Sequence, residues 1–226
     1  MAQDKKKKRS FHSANVAVIG LGRFGSALAT ELMNSGHQVL GIDSDDRIVQ
    51  SLSTTLTHVV SADTTDEENL RELGINDMDS AVVAIGADLE ASILTASLLL
   101  QLGVKQVWAK ANSTSHGRIL TQIGVHHVIF PEYEMGRRVA HQVSVESLDY
   151  VHIDEDFVMV KTYVPQVYEG AVLAEAKIRA TFGVTVVAIN DGNGYKPAFP
   201  DSVLKKGDTI VIAGPKGPLD QFCQLD

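Results

Sequence analysis

Six short runs rich in β-branched residues, each followed by an amphipathic stretch, constrain this chain more than any other feature. They read NVAVIG, QVLGID, HVVSAD, SAVVAIG, QVWAKA and HHVIFP. Their apolar character is nearly continuous rather than alternating, which marks strands buried on both faces. Strands of that kind, separated by helices, join through crossover connections into a parallel sheet. Helices are expected at RFGSALATELMNSG, DDRIVQSLSTTL, DEENLRELG, LEASILTASLLLQLG and HGRILTQIG, several closing on a glycine suited to a left-handed cap. Thr65 and Glu68 have capping-box spacing, with acidic residues in the first turn where the helix dipole favours them. Together these units predict one doubly wound α/β domain over residues 15–133.

The pattern changes after Pro131. EYEMGRRVAHQVSVESLDY reads as one longer helix, with apolar positions at Met135, Val139, Val143 and Leu148. It is expected to carry the connection over residues 134–150. From residue 151 to 226 the text is different: YVHIDEDFVMVKTYV alternates, AVLAEAKIRATFG reads as a short helix ending on Gly183, and VTVVAIND and TIVIAG read as strands around a GNGY turn. This predicts a small α+β module near the lower size limit for independent stability.

With 226 residues and 44% hydrophobic content, the chain can bury a core without covalent staples. Its single cysteine, Cys223, rules out an internal disulfide framework. A net charge of −8 argues against a nucleic-acid binder, which needs dense Lys/Arg along one face. The exception is KKKKR, Lys5 to Arg9, within a basic tail over residues 1–14. Such blocks are normally solvated, and their functional use is contact with an anionic lipid or an acidic partner. No apolar run follows it, and the most apolar segments fall short of the ~20 residues a membrane span needs. A cytoplasmic protein is expected, reaching any membrane only through a partner.

In GLGRFG, Gly20, Gly22 and Gly25 have G-x-G-x-x-G spacing between the first strand and the first helix. Gly20 permits the tight turn, Gly22 lets the backbone approach a phosphate, and Gly25 lets the helix pack closely on the sheet. The helix N-terminus offers unpaired N–H groups to the anion. This is a Rossmann-like nucleotide fingerprint. Asp43, 18 positions after Gly25, supplies the acid expected ~20 residues on. Its carboxylate can accept both ribose hydroxyls and would repel a 2′-phosphate. Asp63, at the tip of the third strand, can either reach the base or cap the next helix. Arg23 adds a fixed positive charge where a dinucleotide presents its pyrophosphate, which tilts the reading from NAD toward ATP or ADP. Phe24, Ser44, Thr64, Ile85, Gly86 and Lys110, beside the same strand ends, complete the candidate cofactor-binding set.

Catalytic equipment is harder to find. There is no Tyr-x-x-x-Lys arrangement and no Walker-type loop, and the C-terminal module is small for a substrate domain. The eight histidines show no metal-ligand spacing, and His126 and His127 are adjacent, so as strand neighbours they point to opposite faces. Glu132 and Glu134 in FPEYEMG fit the first turn of a helix; equally, a carboxylate at a subunit interface could hold a hard divalent cation against phosphates. A small NAD(H)-dependent oxidoreductase stays open on the same glycines and Asp43. A DNA-binding redox sensor is disfavoured by the acidic charge and the absence of a helix-turn-helix pattern.

VAVIGLGRFGSALATELMNSGHQVLGID, VVAIGAD with ASILTASLLLQLG, VWAKA and FPEYEMG together resemble the cytosolic regulatory (RCK) subunits of Trk/Ktr-type bacterial potassium uptake systems, KtrA-type above all. The resemblance runs from Asn15 through RATFGVTVVAI and PDSVLKKGDTIVIAG. It implies a nucleotide-binding N-domain and a small C-domain. It also implies dimers assembled into an octameric ring beneath a KtrB/TrkH-like membrane subunit, with ATP and ADP favouring different ring shapes. Arg23 then matches the position that reaches the γ-phosphate, Asp43 the ribose ligand, and Glu132 a carboxylate linked to a divalent cation, Mg or Ca. The helix after Glu132 becomes the dimer contact and crossover. Arg179 in KIRATFG matches an arginine facing cyclic di-AMP, although AVLAEAK departs from the usual pattern around it.

Overall fold

The computed structural model describes residues 13–144, 148–154 and 156–225. The basic run Lys5 to Arg9 lies outside them. The chain divides into two compact units between Pro131 and Glu132.

In the first unit, strands β1 (Asn15–Ile19), β2 (Gln38–Asp43), β3 (His58–Ser61), β4 (Ser80–Val83), β5 (Val107–Lys110) and β6 (His127–Ile129) form one sheet in the order β3-β2-β1-β4-β5-β6. Every pairing is parallel. This is the doubly wound order, whose reversal between β1 and β4 opens a crevice at the strands' carboxyl ends. The helices are α1 (Arg23–Asn34), α2 (Asp46–Leu52), α3 (Glu67–Glu72), α4 (Leu89–Gln101) and α5 (Thr114–Gln122). One core, on the side of α3, α4 and α5, contains Ile19, Ile42, Leu70, Ile75, Leu99 and Leu120. The other holds Val18, Leu21, Ala29 and Val39 against α1 and α2. Each fully buried Leu or Ile contributes on the order of 2 kcal/mol.

The α3 start differs from the capping box expected at Thr65 and Glu68. Asp66 is the cap, accepting the Glu68 N–H, while Thr65 donates its own N–H and hydroxyl to Asp63. The shorter-range turn at Asp63 captures Thr65 first, so the helix opens one residue later.

The second unit begins with α6 (Pro131–Ser144), started one residue ahead of the unit's boundary by a proline at the first helical position. The helix expected to run on through Tyr150 ends earlier, because Asp149 opens strand β7 (Asp149–His152). Tyr150, 1% exposed, packs in the sheet's core and so belongs to the strand alternation, not to a helix face. Strands β8 (Phe157–Tyr163), β9 (Thr185–Asn190), β10 (Tyr195–Pro197) and β11 (Thr209–Pro215) join it in an antiparallel sheet ordered β10-β9-β11-β8-β7. The alternating run expected from Tyr150 is thus a hairpin of β7 and β8. The single helix expected before Gly183 is split into α7 (Leu173–Ala176) and α8 (Ile178–Phe182), because Lys177 between them has φ +50. A final helix, α9 (Lys216–Phe222), places Leu219 and Phe222 in the core with Ile210 and Ile212.

Of the apolar positions read along the connecting helix, three fall on α6 and are exposed, whereas Leu148 lies beyond its end, with its N–H donating to the Lys161 carbonyl. Met135, Val139 and Val143 are 54%, 45% and 82% exposed, joined by Tyr133. Arg138 makes a two-pronged ion pair with Asp149, at 2.9 and 2.7 Å, tying α6 to the start of β7. None of the described helices is long and apolar enough to cross a membrane.

Candidate functional site

The three glycines of GLGRFG serve three different needs. At Gly20, φ is +89 and a Cβ would sit 2.9 Å from the Ile85 amide nitrogen, so only glycine makes this turn against β4. At Gly25 a Cβ would overlap the Gly20 carbonyl oxygen, so glycine lets α1 start tight against its own loop. Gly22 is unlike both: its φ is −63 and a Cβ there would meet nothing within 4 Å. No protein group requires the missing side chain. A cradle left bare toward open space fits a ligand that touches the backbone.

Gly22 also precedes the first turn of α1 with no side chain capping it, so the N–H groups of that turn face outward. Arg23 is exposed at the first helical position, beside them. The loop is stitched to β2 in two places. The Gly20 N–H donates to the Ile42 carbonyl at 2.8 Å, and the Leu21 N–H donates to Asp43 Oδ2 at 2.7 Å. The Asp45 N–H donates to the other Asp43 oxygen at 2.9 Å. Asp43 is therefore held at the loop, with lone pairs left for hydroxyl donors. Ser44 is exposed next to it. Asp45, capping α2, is held down at about 2, first by the hydrogen bond from the Arg47 side chain.

The opposite wall comes from β4 and β5. Gly86 is exposed, and a Cβ on it would lie 3.8 Å from Lys110 Nζ. Lys110 is 8% exposed at the end of β5, with its ammonium 5.9 Å from the centre of the Phe24 ring. Two cationic side chains, Arg23 and Lys110, thus flank the residues of the glycine loop. The Asn112 side chain donates from Nδ2 to the Gly86 carbonyl oxygen, joining the loops after β4 and β5.

Gly20, Gly22, Arg23, Phe24, Gly25, Asp43, Ser44, Ile85, Gly86 and Lys110 thus line one end of the sheet. Asp63 is exposed at the tip of β3 and is committed to a local turn, accepting from Thr65. The Thr65 side-chain hydrogen bond, ahead of its backbone N–H, holds the Asp63 carboxyl below the usual range. Thr64 faces inward, 6% exposed, with its hydroxyl 2.8 Å from that of Thr95. Glu132 and Arg179 are exposed residues of the second unit, in the first turn of α6 and on α8. Among the described residues no three His, Cys, Asp or Glu side chains are grouped as metal ligands. His126 and His127 serve local structure: His126 accepts the Val107 N–H, and His127 stacks on Trp108 at 3.9 Å.

Sequence reasoning missed Asn112 and the Thr64 to Thr95 pair. For Asn112 a signal existed: an amide side chain directly after a strand and before a capping serine, in KANSTSH. Nothing in the spacing of Thr64 and Thr95 marks them as partners, since 31 positions separate them.

Comparison with known proteins covers nearly the whole chain. The TrkA-N domain family matches residues 16–131 and the TrkA-C domain family matches residues 165–225. The Ktr system potassium uptake protein A of Bacillus subtilis is 34% identical over 208 residues, covering 91% of this chain and 94% of its own. The protein of the same name from Vibrio alginolyticus is 37% identical over 206 residues, covering 90% and 93%. Among solved structures, the GsuK channel bound to NAD superposes with a TM-score of 0.65 at 16% identity, over 93% of this chain and 39% of that one. GsuK bound to ADP does so with a TM-score of 0.53 at 16% identity, over 59% and 35%. By its two domains and its identity to these relatives, the chain belongs to the RCK family of Ktr-type potassium uptake proteins.

Proposed function

We propose that this chain is a nucleotide-binding regulatory subunit, not an enzyme, that controls a potassium-translocating membrane protein of the KtrB/TrkH kind. The observation that carries the reading is Gly22: a bare backbone position at a helix start, with no packing reason to be glycine, beside Arg23 and opposite Lys110. Such a cradle receives phosphate. ATP and ADP are the proposed ligands. Asp43 would accept the ribose hydroxyls, Phe24, Ser44, Asp63, Ile85 and Gly86 would line the cleft, and Arg23 would meet the terminal phosphate that distinguishes the two. Thr64 would act only through its backbone, its hydroxyl being held by Thr95.

Regulation needs a ligand with different affinities for two shapes of the assembly. We assign that assembly to a homodimer, supported by the exposed Met135, Val139 and Val143 on α6, and from it to the homo-octameric ring that the resemblance to KtrA-type subunits implies. In this reading α6 is the dimerisation and crossover helix. Glu132, in its first turn, would share a divalent cation, Mg or Ca, with nucleotide phosphates, and Arg179 would face cyclic di-AMP in the C-terminal unit. The protein would work at the inner face of the membrane through its partner.

Titration calorimetry with ATP, ADP and NADH tests the reading. ATP and ADP are expected to bind, and Arg23→Ala is expected to weaken ATP roughly 10–100-fold and ADP much less, since a hydrogen bond to a charged group is worth about 1.5–3 kcal/mol. Equal losses would remove the phosphate-counting role. Binding of NADH alone would favour a dinucleotide-sensing regulator, a reading supported by the Asp43 carboxylate and by the NAD-bound GsuK channel. Binding of none of the three would reject a nucleotide site.

A further inference from the structure

His116 is an expensive residue for its place. It sits in the first turn of α5 and is 1% exposed. Its Nε2 has no hydrogen-bond partner, although the atom is fully shielded from solvent. Burial pushes the imidazole toward its neutral form. Its Nδ1 accepts the Asn112 N–H at 3.3 Å, which assigns the ring proton to Nε2, where it goes unpaired. A buried donor without a partner costs free energy that leucine at the same position would not. Core packing therefore gives no reason for histidine here.

The Nδ1 contact gives one. Asn112 lies just outside α5, Ser113 caps the helix by accepting the His116 N–H at 3.1 Å, and His116 reaches back to the Asn112 N–H. This is a capping arrangement displaced by one residue from a capping box, the imidazole accepting the N–H of Asn112, which precedes the cap, rather than that of Ser113. It fixes the backbone of Asn112, whose side chain donates to the Gly86 carbonyl oxygen. Gly86 in turn stands against Lys110 Nζ, which lies near the Phe24 ring of the glycine loop. A chain of contacts runs from the interior of α5 to the wall of the cradle.

We infer that His116 is a positioning residue for the nucleotide cradle: through Asn112 it locks the loop after β5 to Gly86 and so sets the wall that faces the glycine loop. The inference rests on the nucleotide reading above and names a residue that touches no ligand. It predicts that affinity and stability part company at this position. His116→Leu removes the acceptor and the unpaired donor together while keeping apolar volume. His116→Asn returns an acceptor near the Nδ1 position but leaves a void.

Calorimetric titration of the full chain with ATP, alongside thermal melting, reads the difference. His116→Leu is expected to lose about tenfold in ATP affinity with an unchanged or higher melting midpoint. His116→Asn is expected to stay within about threefold of wild type in affinity with a lower midpoint. Asn112→Ala should lose about as much affinity as His116→Leu, and the double variant should lose no more than either. Wild-type affinity in His116→Leu, or additive losses in the double variant, overturns the inference while leaving the nucleotide site intact. Should His116→Leu fail to fold, wild-type affinity in Asn112→Ala overturns it equally. A wild-type protein that binds none of ATP, ADP and NADH overturns the nucleotide reading itself, and this inference with it.

Discussion

The contrast between Gly22 and Gly25 separates a glycine kept for a ligand from one kept for the fold. In Gly22→Ala the new methyl enters open space and the backbone at φ −63 and ψ −167 accepts an L residue. Alanine is a poorer N-cap than glycine, by about 0.5–1.5 kcal/mol. Against this, it restricts the unfolded chain, a gain of about 0.4–1 kcal/mol. The net change in stability is expected to lie within about 1 kcal/mol of zero. Affinity is different: a methyl that holds a phosphate off the helix start removes one or two charge-assisted hydrogen bonds, so ATP binding should fall roughly 10–100-fold or more. In Gly25→Ala the methyl overlaps the Gly20 carbonyl oxygen and lies 3.3 Å from Ala84 Cβ. Backbone must move, which costs about 1–3 kcal/mol or more and should lower the melting midpoint by roughly 5–15 °C. Circular dichroism melts and ATP calorimetry on both variants give the test. A folded Gly22→Ala that binds ATP as wild type does would refute the backbone-approach argument, and one destabilised as much as Gly25→Ala would refute the packing argument.

Other outcomes follow from geometry elsewhere. Val139→Glu on the uncovered face of α6 should shift sedimentation toward monomer without lowering the melting midpoint of the N-terminal unit; unchanged sedimentation would mean that α6 pairs with nothing. Lys177→Gly should stabilise the C-terminal unit by about 1 kcal/mol in urea denaturation, since a left-handed backbone costs an L residue about that much. Burial pushes the Cys223 thiol up to about 12, so thiol reagents should label it only on unfolding. The sign of the accompanying pH dependence is fixed. An unfolded thiol ionises near ~8.5 and the folded one does not, so this group's contribution is intact below that pH and is lost as pH rises toward 12. Labelling at the native rate of an exposed thiol at neutral pH would contradict that burial.

Much of the N-terminal unit was legible because its inner strands β1, β2 and β4 are largely buried, unlike the edge strands β3 and β6, and because Gly20 and Gly25 are forced by backbone geometry. Gly20 and Gly25 could be anything only if the turn and the helix start moved. The C-terminal unit was less legible. Its breaks depend on single backbone events, such as the left-handed Lys177, that leave no trace in hydrophobic period. Tyr150 shows the same limit: its apolar neighbours suit a helix or a strand, and burial against the antiparallel sheet decides. At the site, the glycine loop, Arg23 and Asp43 stood out by type and spacing. The inward turn of Thr64 and the link from His116 through Asn112 did not, because they are set by partners distant in sequence or by which ring nitrogen faces a neighbouring amide.

Asp43 carries a warning for anyone who would use it as a binding-dead control. Both of its oxygens already accept backbone N–H groups, one from the glycine loop and one from the segment entering α2. Removing the carboxylate would therefore leave two amides to find new acceptors and let the loop wander before any ligand arrives. A nucleotide meeting the intact protein spends little of its binding energy on ordering that loop. The same contacts make Asp43→Ala a test of scaffold and recognition at once, and Asp43→Asn no cleaner, since its amide NH2 would set a donor against one of those two N–H groups.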